Sequence, residues 1–223
     1  MSREAELRRF VAVLKAGIQD GKLNDEFLTH AISELSEIGY RYDADLFPQI
    51  KHGAGFSSDF AQAPSNLAEA LLWKMGKWRV YKDFVANYRA GSPRFQKTDV
   101  VFAAFAKHLK DESNPIYDQH ALRAMWAINP NVTPEDASRC RAVLFKSKGK
   151  GKDRWKANLS GADTISCYDW YVSELEVISS GRVSKSSLDK LLMPLGQALK
   201  TICENYQQFS FVCGINAEGS FRG

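Results

Sequence analysis

The feature that most constrains this chain is the return of apolar side chains every three or four residues along most of its length. Leu188, Leu191, Leu192, Leu195, Leu199 and Ile202 form the longest such stripe. That spacing gathers side chains on one side of an α-helix and would scatter them over both faces of a strand. The same period runs through Leu7, Phe10, Val11, Leu14 and Ile18, and through Phe27, Leu28, Ala31, Ile32, Leu35 and Ile38, between a capping Asn24 and a terminating Gly39. Ser65 opens a helix through Leu67, Leu71, Leu72 and Met75, and after Gly76 another carries Trp78, Tyr81, Phe84, Val85 and Tyr88. Between Thr98 and Leu109 the spacing points Val101, Phe102, Phe105 and Leu109 inward.

Thr133-Pro134-Glu135-Asp136 reads as a capping threonine with proline in the first turn, introducing a helix through Cys140 and Leu144. Tyr168, Tyr171, Leu175 and Ile178 predict one more helix. Phe209-Ser210-Phe211-Val212 alternates instead, and is expected in an irregular tail. From Tyr40 to Pro64 the period fades among glycines and prolines into a long connecting loop. The expected architecture is therefore all-α: one compact domain over residues 1–223, built as two helical lobes. With 223 residues and 44% apolar content, it can bury a core without covalent staples.

Several classes are excluded. Cys140, Cys167, Cys203 and Cys213 form no Cys-x-x-Cys pair, and the four histidines form no His-x-x-x-His pattern, so no metal and no cofactor is expected. Reduced, buried thiols are the default. The mixed-charge N-terminus does not resemble a signal peptide, and no apolar run approaches the ~20 residues of a membrane helix. A cytoplasmic monomer is expected.

Charge is concentrated in one place. Residues 146–156 hold six basic residues and one acid, a local +5 in a chain of net +4, which leaves the remainder at −1. This loop, with Lys148, Lys150, Lys152 and Arg154, suits a polyanion held on one face. Its alternating Lys and Gly supply backbone-clamping charge without the rigid geometry needed to read base edges.

Asp118 stands where an extended stretch opened by Pro115 meets the helical stripe Ala121, Leu122, Met125 and Trp126. It reads as an N-cap, a position that favours the charged carboxylate through backbone N–H bonds and the helix dipole. Most such aspartates only cap.

The run Pro115-Ile-Tyr-Asp118-Gln-His120-Ala-Leu-Arg123 nevertheless resembles the Pro-x-x-Asp-x-His-x-x-Arg segment of the helix-hairpin-helix DNA glycosylases, the superfamily of the 8-oxoguanine and alkyl-base glycosylases. The resemblance covers roughly residues 65–200, with Trp73-Lys74 and the run from Leu188 to Gly196 echoing the flanking helices. It implies a compact glycosylase-like helical fold with a helix-hairpin-helix element. It also implies double-stranded DNA bearing a damaged or modified base as partner, and Asp118 as catalytic carboxylate. His120 and Arg123 would contact a phosphate beside the flipped nucleotide or brace the carboxylate. The cluster-bearing branch is excluded by the cysteine spacing.

Where the family's hairpin carries Gly-x-Gly, this chain has Phe95-Gln96-Lys97, so Arg94, Lys97 and the amides near Thr98 are the substitute phosphate contacts. The lysine nucleophile of strand-cleaving members would fall near Asp99 or Val100, and Lys97 is out of register. A monofunctional, water-using reaction is expected. Trp73, Tyr117, Tyr168 and Trp170 are candidate walls for a base pocket, although aromatics at helical spacing are more commonly core. Departure from the usual hairpin admits a specialised role, such as antiviral removal of modified phage bases. The competing reading is a non-enzymatic DNA-binding or interaction module in which Asp118 is a cap.

Overall fold

The computed structural model describes residues 2–41, 64, 67–89, 100–111, 113–146, 154–155, 162–180 and 182–215. In chain order these form α1 (Arg3–Gln19), α2 (Asp25–Glu37), α3 (Leu67–Lys74), α4 (Trp78–Arg89), α5 (Val100–Lys110), α6 (Gln119–Ile128) and α7 (Pro134–Leu144). A strand pair follows, β1 (Phe145–Lys146) and β2 (Arg154–Trp155), then α8 (Ala162–Ser179), α9 (Lys185–Ile202) and α10 (Tyr206–Cys213). The protein is mostly helical, as the periodicity requires.

Local caps start the helices where the residue types predict. Asn24 accepts the Phe27 amide at 2.8 Å, and Thr133 accepts that of Asp136 at 3.2 Å with Pro134 in the first turn. Gly39, at φ 92°, takes a left-handed conformation that a side chain would disfavour, just after α2.

The centre of the molecule is α6, whose residues from Ala121 to Ile128 are all buried. It packs against α1, α7, α8 and α9, so it has no solvent face after its first turn. The amphipathic reading of this helix is thus corrected: its stripe is completed by neighbours on every side. α9 lies across it and also touches α1, α2 and α8. Their crossing is set by Gly196, where a Cβ would stand 2.1 Å from the His120 carbonyl oxygen. Only hydrogen fits there.

Four further expectations change. Residues 206–213 are helical rather than an irregular tail, capped by Asn205, which accepts the Gln208 amide at 3.0 Å, and ended by Gly214 at φ 63°. The basic loop springs from an antiparallel strand pair, Phe145 opposite Trp155 and Lys146 opposite Arg154. On α3, Leu67 and Leu71 are exposed, as is Met75 just after it, and the buried residue is Glu69, which accepts the Tyr81 hydroxyl at 2.6 Å. On α5, Val100 and the small Ala103, Ala104 and Ala106 are buried while Phe102 is exposed, because alanines allow closer helix approach. The four cysteines are free and buried, as expected of reduced thiols. Among the described residues no helix is long and apolar enough to cross a membrane.

Candidate active site

The site is assembled from the segment that delivers Asp118 to the start of α6. Its backbone is fixed before the helix begins. The His108 ring nitrogen Nδ1 donates to the Asn114 carbonyl at 2.8 Å, and the Ile116 amide donates to Asp189 Oδ2 of α9 at 2.9 Å. Tyr171 of α8 places its hydroxyl 2.6 Å from Asp189 Oδ1 and 3.1 Å from the Ile116 carbonyl. Tyr117 is fully buried, edge-on to Tyr168 at 5.2 Å between ring centroids.

Asp118 then caps α6 from an extended conformation, φ −151° and ψ −174°. Its Oδ1 accepts the amides of His120 at 2.6 Å and Ala121 at 2.8 Å. Both bonds land on the same oxygen. Among the described residues Oδ2 accepts none, so one oxygen anchors the carboxylate and the other is available to an incoming cationic centre or water.

Behind the carboxylate lies a cationic brace. Arg123 Nη1 donates to the Gly196 carbonyl at 3.0 Å and lies 3.2 Å from His120 Nδ1. The guanidinium carbon sits 4.2 Å from the centroid of the Trp155 ring, a cation–π distance. Among the described residues Nε and Nη2 have no hydrogen-bond partner. Burial lowers the Arg123 pKa to about 10, opposed by the negative charge of Asp118, so the side chain is cationic at neutral pH. His120 is also pushed down, chiefly by burial and against the pull of Asp118, and is neutral at pH 7.

Trp155 ties this brace to the root of the basic loop. Its ring stacks on Phe145 at 3.9 Å, and its indole N–H donates to the Cys203 carbonyl at the end of α9. One side chain therefore covers Arg123, closes the C-terminus of α9 and seats the strand pair.

No family model, curated protein or solved structure significantly matches this chain.

The structure brings Asp118, His120 and Arg123 together at the first turns of α6, but in different roles. Arg123 is wholly buried and its donors face the protein interior, so it braces α6 against α9 and does not reach a phosphate here. His120 is partly exposed. Tyr117 and Tyr168, candidate pocket walls for which core was the commoner expectation, are buried in the core beneath the connector, where Tyr117 packs against both Tyr168 and Tyr171. Trp170 is partly buried on α8, and Trp73 is exposed on α3, which packs against α4. These four aromatics do not form one pocket. Two surface hollows lie elsewhere, one of about 440 Å³ along α1 and Phe211, the other of about 220 Å³ near Gly21 and Arg182. Arg94, Lys97, Thr98, Lys148, Lys150 and Lys152 lie outside the described residues, and of Arg154 only the backbone is described. Among the described residues, no group of His, Cys, Asp and Glu could hold a metal ion.

Sequence reasoning missed Asp189, Tyr171, Gly196 and Trp155. Asp189 did leave a signal, as a lone acid inside the leucine stripe of α9.

Proposed function

We propose that the chain is a monofunctional DNA glycosylase that hydrolyses the N-glycosidic bond of a flipped-out, damaged or modified base and leaves an abasic site. The reading rests on one observation above all. Asp118 is fixed through Oδ1 by two backbone amides, and among the described residues Oδ2 accepts no hydrogen bond, within the Pro115-x-x-Asp118-x-His120 run. A glycosylase-like helical architecture with a hairpin element before α6 is part of the proposal.

As the bond between C1′ and the base nitrogen lengthens, positive charge builds on the sugar. A pre-oriented carboxylate stabilises it without reorganising at that moment. Asp118 also orients the attacking water. The water oxygen bonds to C1′, one of its protons passes through the carboxylate to solvent, and the base leaves with the electron pair of the broken bond and acquires a proton. No cofactor enters. Arg123 supports the N-terminal turn of α6, and His120 and the lysines of the basic loop take the DNA backbone.

The test is incubation with duplexes carrying oxidised, alkylated or bulky modified bases, followed by cleavage at abasic sites. Asp118→Asn, which keeps an oxygen for the cap, should abolish product while folding and DNA affinity persist. Borohydride should trap no covalent adduct at Lys97, since only a Schiff base is reduced to one. Absence of abasic product from every duplex, with DNA affinity intact, would instead establish a binding module with Asp118 as a cap. Activity on bulky modified bases alone would point to antiviral defence rather than repair.

A further inference from the structure

The mechanism above leaves one buried acid unused. Asp189 is 8% exposed and, among the described residues, has no lysine or arginine partner, an expensive way to bury a carboxylate. Both its oxygens instead serve one peptide unit and one phenol. Oδ2 takes the Ile116 amide at 2.9 Å, and Oδ1 takes the Tyr171 hydroxyl at 2.6 Å. That hydroxyl has a single hydrogen and a second acceptor within reach, the Ile116 carbonyl at 3.1 Å. The N–H and the C=O of Ile116 are thus both addressed by the same pair of side chains, two residues before Asp118.

We propose that Asp189 and Tyr171 form a two-state proton switch that positions Asp118 by regripping the main-chain N–H and C=O of Ile116. With Asp189 ionised, Tyr171 donates to Oδ1 and the Ile116 N–H is held by a charged acceptor. When Asp189 takes one proton from solvent, Oδ1–H donates to the Tyr171 oxygen and the tyrosine hydrogen turns to the Ile116 carbonyl. No other atom changes hands. The N–H bond to Oδ2 then has a neutral acceptor and weakens, since charge-assisted bonds are roughly twice as strong. The ionised state holds the connector more firmly.

The surroundings place this exchange within reach of ordinary pH. Burial raises the Asp189 carboxyl to about 6, against the hydrogen bonds from Tyr171 and Ile116 and the charge of His108 from α5, while Asp118 adds to the rise. The influence on rate rests on the glycosylase reading; the switch itself does not.

Asp189→Asn copies the protonated state, because its amide donates to Tyr171 while its carbonyl accepts the Ile116 amide. Proton–nitrogen NMR of the full chain between pH 4.5 and 8 should show the Ile116 amide titrating with a midpoint near 6 in the wild type. The titration should be absent in Asp189→Asn and move upward in Tyr171→Phe, which removes a donor to the ionised form. On a duplex that yields abasic product, kcat of Asp189→Asn at pH 7.5 should fall about 10-fold to the acid-side level of the wild type, with KM unchanged and no step near pH 6. A flat Ile116 amide in the folded wild type, or a titration that survives in Asp189→Asn, overturns the switch. A titrating amide beside an unaltered kcat profile overturns the positioning role. If no duplex is cleaved, the glycosylase reading and the positioning role fall together, while the amide still decides the switch. Tyr171→Phe carries the test should the asparagine variant not fold.

Discussion

Gly196→Ala separates local propensity from packing because the two predict opposite signs. Alanine in a helix interior is favoured over glycine by about 1 kcal/mol, so a residue free of neighbours would be stabilised by the change. At Gly196 the added Cβ would lie 2.1 Å from the His120 carbonyl oxygen, 2.5 Å from its carbon and 2.7 Å from its Cα. These are backbone atoms, and none can swing away. α9 and α6 would have to part by roughly 1 Å to restore ordinary contact, and overpacking of this kind costs about 1–3 kcal/mol, sometimes more. The same displacement stretches the Arg123 bond to the Gly196 carbonyl, now 3.0 Å. Weakening a buried bond from a charged donor costs about another 1.5–3 kcal/mol. After the propensity gain, the expected net loss is about 2–5 kcal/mol, a large share of the ~5–15 kcal/mol that holds a typical domain. Urea denaturation followed by far-UV circular dichroism measures it, with Gln197→Ala as a control on the same helix. A Gly196→Ala protein as stable as the wild type, or more so, refutes the close-crossing argument.

Four further outcomes follow from particular contacts. Trp155→Ala should cost about 3–5 kcal/mol in urea denaturation, whereas Trp73→Ala, at a residue 59% exposed, should cost under ~0.5 kcal/mol; equal losses would contradict the anchoring of the strand pair. Asp118→Ala should lose about 1 kcal/mol of cap energy and Asp118→Asn only a few tenths, read by thermal unfolding. Asp189 is raised from 3.8 when free to about 6 in the fold, so the native state holds an extra proton between these values and wild-type stability falls as pH rises through that window; at ~1.4 kcal/mol per pH unit, Asp189→Asn should gain about 2 kcal/mol on the wild type between pH 4 and pH 7. A difference in denaturation free energy that stays constant with pH would count against this. Finally, Lys148→Gln, Lys150→Gln and Lys152→Gln together should flatten the slope of log affinity against log salt for duplex DNA by up to ~2.7, at ~0.9 per lost phosphate contact, as measured by fluorescence anisotropy.

Much of the fold is legible because its signals are local. Asn24 and Thr133 cap helices through bonds spanning three residues, and the stripe from Leu188 to Ile202 has one consistent inner face, with Leu188, Leu191, Leu192, Leu195 and Leu199 all fully buried. The position of Asp118 as a cap is legible for the same reason. What fails to show is long-range or too short to be periodic. β1 and β2 have two residues each, less than one alternation. The pattern of Phe209 to Val212 misleads because Phe211 is exposed, under the Arg8 guanidinium at 4.2 Å, and so breaks the inward face of α10. The grip of Asp189 on Ile116 joins residues 73 positions apart, and the closure of Trp155 over Arg123 depends on a ribbon returning to the core. Nothing in residue spacing foretells either.

The complete enclosure of α6 has a consequence for how the protein is made. A helix whose walls come from α1 at one end of the chain and α9 at the other cannot bury itself as it emerges from the ribosome. Translation adds about 5–20 residues per second, so α6 must wait several seconds for residue 202 to clear the exit tunnel, with Trp126 and its apolar neighbours bare in the meantime. The acid at its tip can acquire its place only after α9, about 70 residues further on, has been synthesised. A nascent chain that stopped short of α9 would thus carry the run from Pro115 to Arg123 without the contacts that place Asp118.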